Sequence, residues 1–445
     1  MGNRLFWYSV SKALAVVAVT LLLRSGVWAA NAEKVLYTFT GGNDGGRPAA
    51  DLVLDTSGNL YGTTVVGGDL GACPTVGCGT VFKLTPVAGG KWKETVLYNF
   101  VAGTDGKNPY GGVAIDSKGN LFGTTVAGGS GGTCAGDGCG VVFMLTHSGN
   151  SWKESVLYSF TGGRDGAGPG GGLILDQKTG YLYGTAASGG KPNGCAGGNG
   201  CGVVYQLVTV KGGQWKQQVL HTFSGGRDGA TGSLGRLLFD KAGNLYGAAE
   251  LGGDLSCNPT SGCGVVYKLT PTSGGKWQLS TLYAFKGTPD GNSSYGGLFS
   301  DAKGNLYGTT YYGGSSNSNC LPVGGCGTVF ALIKGSNGMW RESVLYRFQG
   351  GADGSNPTTT LVFDANGKLY GTTASGGDTN GDGVVFKLTP NSGGKWKESV
   401  VHGFKNNPDG ANPNYGLARV KKTGTLFGVA PFGGSGQGVV FQITP

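Results

Sequence analysis

Ten cysteines are the residues of this chain whose spacing most directly predicts chemistry. They fall in five close pairs with four or five residues between the partners, namely Cys73 with Cys78, Cys134 with Cys139, Cys195 with Cys201, Cys257 with Cys263, and Cys320 with Cys326. An even count with one pair per repeat predicts five disulfide bonds. Zinc is disfavoured because each loop supplies two sulfurs and no adjacent histidine, whereas a closed site needs four ligands. A redox motif would have two residues between its cysteines.

A second set of candidate groups is a series of aspartates, each followed by glycine. Its members are Asp44, Asp105, Asp165, Asp228, Asp290, Asp353 and Asp409. Such residues form turns in which the carboxylate accepts backbone hydrogen bonds. The alternative is an acidic rim on a binding face, where the carboxylates bind cations or sugar hydroxyls.

Glu250 is the acidic residue that most clearly departs from the repeat, because other copies have a small or apolar residue there. With Asp254 it could form an acid and base pair for glycoside cleavage, but the sequence places no second carboxylate at the separation such a reaction needs. His147, His221 and His402 form no triad by spacing, and the last two replace a recurring tyrosine, which favours a packing role. No serine lies in a nucleophile elbow. The sequence therefore predicts no catalytic residue.

One loop without cysteines, "GGDTNGDGVVF", carries oxygen ligands at the spacing of a calcium loop. Asp378, Asn380, Asp382 and Gly383 match the first half of that pattern. The twelfth position is Thr389, where an EF-hand has a bidentate glutamate. A structural calcium ion and a simple polar turn both remain open, and no other cofactor is expected.

These groups are positioned by a repeat of about 61 residues. The motif "GNLYG" or a close relative ends at Gly62, Gly123, Gly184, Gly247, Gly308, Gly371 and Gly428. Each repeat has four segments of strand character, which we call a ("GGVAID"), b ("NLFGTT"), c ("GVVFMLT") and d ("WKESVLYSF"), and no helical periodicity is present in the mature chain.

The arrangement of the strands predicts an all-β, seven-bladed β-propeller of four-stranded blades over residues 31–445. The chain begins with a lone d strand, "KVLYTF", and ends after a c strand, so pairing of the two completes the last blade. Closure removes free sheet edges. A linear β-solenoid is the alternative, but it has no reason to begin and end at complementary points of the repeat. The b–c and d–a loops then share one face, which holds the cysteines and aspartates and is the expected binding face.

Residues 1–30 read as a secretory signal peptide, with a basic residue, an apolar run and small residues near Ala29. An uncleaved membrane anchor is the alternative. Removal of this segment takes away Arg4, Lys12 and Arg24 and lowers the net charge from +9 to +6. So mild an excess on a large surface does not indicate nucleic-acid binding. Glycine, at 93 of 445 residues, is about three times its usual share, which fits a turn-rich β-protein.

The set "VLYxF", "GGxDGxxP", "DxxGNLYGTT" and "GCGxVFKLTP" resembles the GloVer family of choice-of-anchor tandem repeats, over essentially the whole mature chain. The resemblance implies an exported bacterial repeat protein, often tethered through a C-terminal sorting signal, and it supplies no catalytic residues. This chain ends at Pro445 directly after strand c, which favours release or periplasmic residence over tethering.

The expected function is a secreted, monomeric, non-catalytic binding or structural scaffold for a glycan or protein, with no membrane span after signal cleavage. A polysaccharide-active enzyme, a glycosidase or lyase using carboxylates of the loop face, is the rival hypothesis. A purely structural protein of the cell surface is a third.

Overall fold

A computed structural model describes residues 32–445 apart from 135, 150, 192–194, 196–197, 233–234, 321–323, 378–379 and 435. The predicted signal peptide lies outside the described residues. No helix within the described ranges is both long and apolar enough to cross a membrane. The described residues include three short 3-10 turns, at Ala88–Gly90, Gly103–Asp105 and Ser273–Gly275.

The strands group into seven blades, numbered along the chain, in each of which strands a, b, c and d lie side by side in that order. Blade 1 contains β2 (Gly46–Leu54), β3 (Leu60–Val66), β4 (Thr80–Val87) and β5 (Lys91–Asn99), and blade 2 contains β6 (Val113–Ile115), β7 (Leu121–Thr125), β8 (Val141–Ser148) and β9 (Ser151–Ser159). Blade 3 contains β10 (Ile174–Leu175), β11 (Leu182–Ala186), β12 (Val203–Thr209) and β13 (Trp215–Thr222). Blade 4 contains β15 (Leu238–Phe239), β16 (Leu245–Leu251), β17 (Val265–Pro271) and β18 (Trp277–Ala284), with the short β14 (Ala230–Gly232) beside β16.

The remaining blades follow the same plan. Blade 5 contains β20 (Phe299–Ser300), β21 (Leu306–Thr310), β23 (Thr328–Lys334) and β24 (Trp340–Arg347), and a short ribbon joins β19 (Gly291–Asn292) to β22 (Tyr312–Gly313). Blade 6 contains β25 (Val362–Phe363), β26 (Leu369–Thr373), β27 (Val384–Pro390) and β28 (Trp396–Gly403). Blade 7 contains β29 (Ala418–Arg419), β30 (Leu426–Ala430), β31 (Val439–Thr444) and, from the other end of the chain, β1 (Ala32–Thr38).

The ring closes through the two ends of the chain, as the sequence predicts. Strand β1 pairs antiparallel with β31, in a register that places Val35 opposite Phe441 and Thr38 opposite Val439. The predicted all-β, seven-bladed propeller is confirmed. Closure gives the last blade its fourth strand from the first residues of the fold, so neither terminal strand is left unpaired.

The core between blades is built from one repeated aromatic contact. The phenylalanine at the end of strand d packs edge-to-face on the aromatic residue of strand c in the next blade, with ring centroids 5.1 Å apart for Phe100 and Phe143 and 5.0 Å apart for Phe404 and Phe441. All four rings are fully buried. A Cβ atom at Gly123 of the "GNLFG" motif would lie 2.4 Å from the Phe143 ring, so this glycine provides room for the core.

The b–c and d–a loops lie on one face, which we call the loop face. Backbone hydrogen bonds join the two kinds of loop directly, as between Lys107 and Ala127 in blade 2 and between Gly68 and Gly42 in blade 1. These bonds satisfy polar groups that irregular backbone would otherwise leave unpaired. They also hold the loops in fixed positions around the propeller axis.

Candidate functional site

A cavity of about 300 Å³ lies at the propeller axis, where the residues that lead into the a strands converge. We call it the axial pocket. Every blade contributes to its wall, and the lining residues are Ala50, Asp51, Tyr110, Gly111, Gly170, Gly172, Gly235, Arg236, Tyr295, Gly297, Tyr311, Tyr312, Thr358, Thr360, Asn414 and Tyr415. A concave site with aromatic walls and a few polar groups is the usual form of a small-molecule site.

The pocket is positioned by the short stretch that precedes the first large buried apolar residue of each a segment, such as Leu52 in blade 1 and Leu417 in blade 7. Blades 2, 3 and 5 have glycine in this stretch, which leaves open space. At the position directly before the buried apolar residue, blades 1 and 4 have Asp51 and Arg236 where blades 2, 3, 5 and 7 have glycine, and blade 7 has Tyr415 one position earlier. The same scaffold therefore carries a different side chain in almost every blade.

One wall of the pocket is a group of tyrosines backed by Glu250. The Tyr295 hydroxyl donates a hydrogen bond of 2.6 Å to Oε1 of Glu250. The Tyr295 ring packs edge-to-face on Tyr311, which in turn packs on Tyr312, with centroid distances of 5.3 Å and 4.6 Å. Glu250 and Tyr311 occupy equivalent positions in neighbouring blades, Glu250 near the end of β16 and Tyr311 directly after β21.

Burial raises the pKa of Glu250, and the hydrogen bond from Tyr295 partly offsets that rise. Burial and the adjacent carboxylate raise the pKa of Tyr295 well above its ordinary value, so the phenol keeps its proton at neutral pH. Glu250 does not pair with Asp254, whose carboxylate accepts hydrogen bonds from the amide and hydroxyl of Ser256 in the b–c loop. The partner of Glu250 is therefore a phenol, and the acid pair considered from the sequence is not formed by these contacts.

The opposite wall is built from blades 6, 7 and 1. Oδ1 of Asp51 accepts a 2.6 Å hydrogen bond from the amide of Gly416, which joins blade 1 to blade 7. The Thr358 hydroxyl donates to the Asn414 carbonyl at 2.6 Å. Oδ1 of Asn414 is buried, and no donor among the described residues reaches it. A buried acceptor of this kind is available to a ligand hydroxyl.

Arg236 contributes positive charge to the pocket. Its guanidinium passes beside Gly172 of blade 3, where an added Cβ would lie 3.4 Å from Nε, and Nη2 donates a long hydrogen bond of 3.4 Å to the Val113 carbonyl of blade 2. The side chain thus crosses the axial edge of one blade to reach the next. Tyr110, which is 37% exposed, lies at the rim.

The seven d–a aspartates have a shared structural role. In each blade the carboxylate contacts the side chain seven residues earlier in strand d and accepts the amide hydrogen bond of the residue four positions earlier. For Asp165 these donors are the Tyr158 hydroxyl at 2.9 Å and the Thr161 amide at 2.8 Å. His221 and His402 replace the tyrosine in two blades and contact Asp228 and Asp409 at 3.0 Å and 2.9 Å. The role of these aspartates in ligand binding stays a prediction.

A further acidic feature lies between the blades. Glu33, Glu94, Glu154, Glu342 and Glu398, on strand d, each lie near a d–a aspartate of the neighbouring blade. Burial, and then repulsion by that aspartate, raises the pKa of each glutamate to about 7. The equivalent residues of blades 3 and 4 are Gln217 and Leu279.

The five predicted disulfides are all present, and the described residues include no free cysteine. They lie in the b–c loops of blades 1 to 5. Of the predicted calcium ligands, Asp378 lies outside the described residues, Asn380 is exposed and Asp382 is buried. The described part of the chain has no group of three acidic, histidine or cysteine side chains placed to hold a metal. Calcium binding stays a prediction.

Sequence reasoning identified Glu250 but missed most of the axial pocket. A search for recurring motifs does not find most of the lining residues, because they belong to no motif. They include Asp51, Tyr110, Arg236, Tyr295 and Tyr415. A usable signal was present: the residues between "GGxDGxxP" and the first apolar residue of strand a change from blade to blade while the flanking residues recur. On a symmetric scaffold, such variation marks the positions that are free to bind.

The sequence matches the model of a known family of repeat proteins. No curated protein matches the chain. The family model described as the Gloeobacter/Verrucomicrobia repeat matches residues 27–196, 74–318 and 256–445, which together span the described propeller. The chain therefore belongs to the Gloeobacter/Verrucomicrobia repeat family.

Proposed function

We propose that this protein is an exported, monomeric, non-catalytic binding propeller that holds a glycan in its axial pocket. The observation that carries the proposal is the contrast between a repeated scaffold and a varied axial lining. A purely structural repeat has no need for tyrosine, aspartate and arginine at positions where other blades have glycine. Rigid propeller blades also hold such groups in place at little entropic cost on binding.

The composition of the lining favours a sugar. Five tyrosines offer flat apolar faces with polar edges, suited to the C–H face of a sugar ring. Asp51, Asn414 and Thr360 add acceptors and donors for hydroxyl groups. A volume of about 300 Å³ is at the small end for ligand sites, which favours one or two sugar units over a folded protein.

Export is supported by the disulfides and by the signal-like character of residues 1–30. Five bonded pairs in a chain without a free described cysteine are typical of an oxidising compartment. Fractionation of the producing cells, with detection of the mature N-terminus by mass spectrometry, tests this part of the proposal. Detection of the uncleaved chain in the membrane fraction would contradict it.

Glycan binding is tested by array screening of the full chain, followed by calorimetric titration of the best saccharide. Tyr110→Ala at the pocket rim should weaken binding by on the order of tenfold, since stacking on an aromatic ring accounts for about 1 kcal/mol or more. Phe432→Ala is the matched control, because Phe432 is similarly exposed, 41% against 37%, and does not line the pocket. Equal loss of affinity in both variants would argue against the axial site.

A polysaccharide-active enzyme is the second candidate, and the Tyr295 contact with Glu250 is the observation that favours it. The Tyr295 hydroxyl can pass its proton to Glu250, 2.6 Å away, as its oxygen attacks an anomeric carbon and displaces the oxygen of the leaving sugar, and some glycosidases use a tyrosine nucleophile. Screening for turnover of plant and bacterial polysaccharides separates the two functions. Activity that disappears in Glu250→Gln would overturn the non-catalytic proposal.

A structural calcium ion in the b–c loop of blade 6 is also proposed, on the spacing of its oxygen-bearing residues. Thermal unfolding with calcium and with chelator tests it, in the natural chain and in Asp382→Ala. A midpoint that rises with calcium in the natural chain alone supports the site. The same midpoint in calcium and in chelator rules it out.

A further inference from the structure

We propose that Arg236 binds a carboxylate group of the ligand, so that the saccharide held by the axial pocket is an acidic one, built from uronic acid units. The inference rests on the proposed function of the pocket and names the ligand class. It follows from the position of one cation, the contacts that cation makes and the space beside it.

Arg236 is the one cationic side chain among the described residues that line the pocket. A guanidinium has five N–H donors in a planar fork. Among the described residues, Arg236 donates one side-chain hydrogen bond, the 3.4 Å contact from Nη2 to the Val113 carbonyl, which is long for an N–H donor. Most of its donors therefore have no acceptor in the described part of the chain.

The surroundings of Arg236 leave access to the guanidinium. A Cβ atom added to Gly172 of blade 3 would lie 3.4 Å from Nε of Arg236, whereas one added to Gly297 of blade 5 would meet the Arg236 backbone. Because Gly172 lacks a side chain, the space beside the guanidinium stays open. The planar fork then fits the two oxygens of a carboxylate, which is the geometry that distinguishes arginine from lysine.

Asp51 does not replace the ligand as the carboxylate partner of Arg236. Its Oδ1 accepts the hydrogen bond from the Gly416 amide, which fixes the carboxylate between blades 1 and 7. The pocket thus has a carboxylate on one blade and a guanidinium on another, suited to a ligand with hydroxyl donors at one end and an anion at the other. A neutral sugar would desolvate the guanidinium without a counter-charge.

The charge of the whole protein has the matching sign. The chain carries a net charge of +9, and loss of residues 1–30 leaves +6. A positive protein attracts a polyanionic saccharide over long range and speeds encounter, more strongly at low salt. This mild excess does not select a polyanionic ligand by itself, and the assignment rests on Arg236.

The test is calorimetric titration of the full chain with short oligomers of galacturonic, glucuronic and mannuronic acid, each beside its neutral methyl ester. The acid form should bind on the order of tenfold or more tightly than its ester, as expected of a charge-assisted hydrogen-bonded pair. Arg236→Gln should remove that preference, and Arg236→Lys should restore part of it. Arg227→Gln, which removes the same charge from an exposed loop of the same region, should keep it.

Each other outcome identifies which claim fails. Equal affinity for acid and ester in the natural chain, or an acid preference that survives Arg236→Gln, overturns the inference and leaves glycan binding intact. Binding of neutral saccharides alone does the same. Failure to bind any saccharide, in this series or on the array, contradicts the proposed function itself. Comparison of acid with ester in the natural chain needs no variant, so it stays decisive if Arg236→Gln does not fold.

Discussion

The Tyr295 hydroxyl donates a 2.6 Å hydrogen bond to Oε1 of Glu250, and this contact joins the axial ends of blades 4 and 5. It pairs a pocket-lining phenol with a carboxylate whose pKa is raised by burial. The contact is outside the symmetry of the repeat, because the residues equivalent to Glu250 include Val65, Val126 and Ala374. It thereby gives one side of the axial pocket a fixed polar wall.

Tyr295→Phe should destabilise the protein by about 1–3 kcal/mol, since it leaves a buried carboxylate without its donor. The loss should be larger at pH 8 than at pH 5. A carboxyl whose folded pKa is raised contributes stability below its unfolded pKa, and this contribution is lost as the pH rises. Removing the Tyr295 hydroxyl raises that folded pKa further. Urea denaturation at both pH values measures the loss of unfolding free energy, with Tyr110→Phe as the control. Equal losses at pH 5 and pH 8 would contradict the predicted pH dependence.

Glu154→Gln should stabilise the protein at pH 8 and have little effect at pH 4.5. Burial and Asp105 raise the pKa of Glu154 to about 7, so its ionised form opposes folding at high pH. The full shift is equivalent to about 3 kcal/mol. Because the side chain is half-exposed, we expect a gain of about 1 kcal/mol.

Blade 3 supplies the reverse experiment for this acidic feature. Gln217→Glu introduces the glutamate that five other blades have, and it should lower the unfolding free energy at pH 8 but not at pH 4.5. Gln218→Glu is the control, since Gln218 is the exposed neighbour on the same strand. Chemical denaturation of both variants across this pH range provides the comparison. Equal destabilisation by the two substitutions would indicate a general charge effect.

The Asp165 contacts should stabilise the fold and leave ligand binding unchanged. Asp165→Asn weakens the hydrogen bonds from Tyr158 and Thr161, and a loss of about 1–2 kcal/mol is expected. A double-mutant cycle with Tyr158→Phe should give a non-additive coupling. Affinity for the best saccharide is measured in the same variants. Additive effects of the two substitutions on the unfolding free energy would argue against the structural role. A large loss of saccharide affinity in Asp165→Asn would support the binding role predicted for these aspartates.

Replacement of two buried tyrosines should stabilise the protein. Tyr205 and Tyr267 occupy the strand c position that is phenylalanine in the other blades, and no described residue hydrogen-bonds their buried hydroxyls. Tyr205→Phe and Tyr267→Phe should each raise the unfolding free energy by about 1 kcal/mol. Phe143→Tyr, the reverse change, should lower it. Calorimetric melting tests the three variants, and destabilisation by both tyrosine replacements would reveal a hidden partner for these hydroxyls.

The fold was predictable because seven blades repeat the same physical solution. Burial of Phe100 against Phe143 and space at Gly123 leave so little freedom that the same residue types recur in every copy. The cysteine pairs were equally predictable, because their separation admits few alternatives. Strand a was the exception: it is as short as two residues in blade 3, Ile174–Leu175, since the chain before it follows the pocket wall.

The site was less predictable, because its residues act through contacts between blades that are distant in sequence. Arg236 reaches the Val113 carbonyl, 123 residues away, and Asp51 accepts from Gly416 across the closure of the ring. No local pattern encodes such contacts. Glu250 was visible as a departure from the repeat, but its partner Tyr295 lies 45 residues later in a stretch that varies among all the blades.

The central claim is that the axial pocket is the ligand site. A crystal structure of the full chain, from crystals soaked in a uronic acid oligomer, tests it most directly. The account predicts a sugar unit within the tyrosine walls, its carboxylate paired with the Arg236 guanidinium and its hydroxyls near Asp51 and Asn414. Sugar density at the outer loops instead, with Arg236 still directed to Val113 and the axial pocket without sugar, would contradict it.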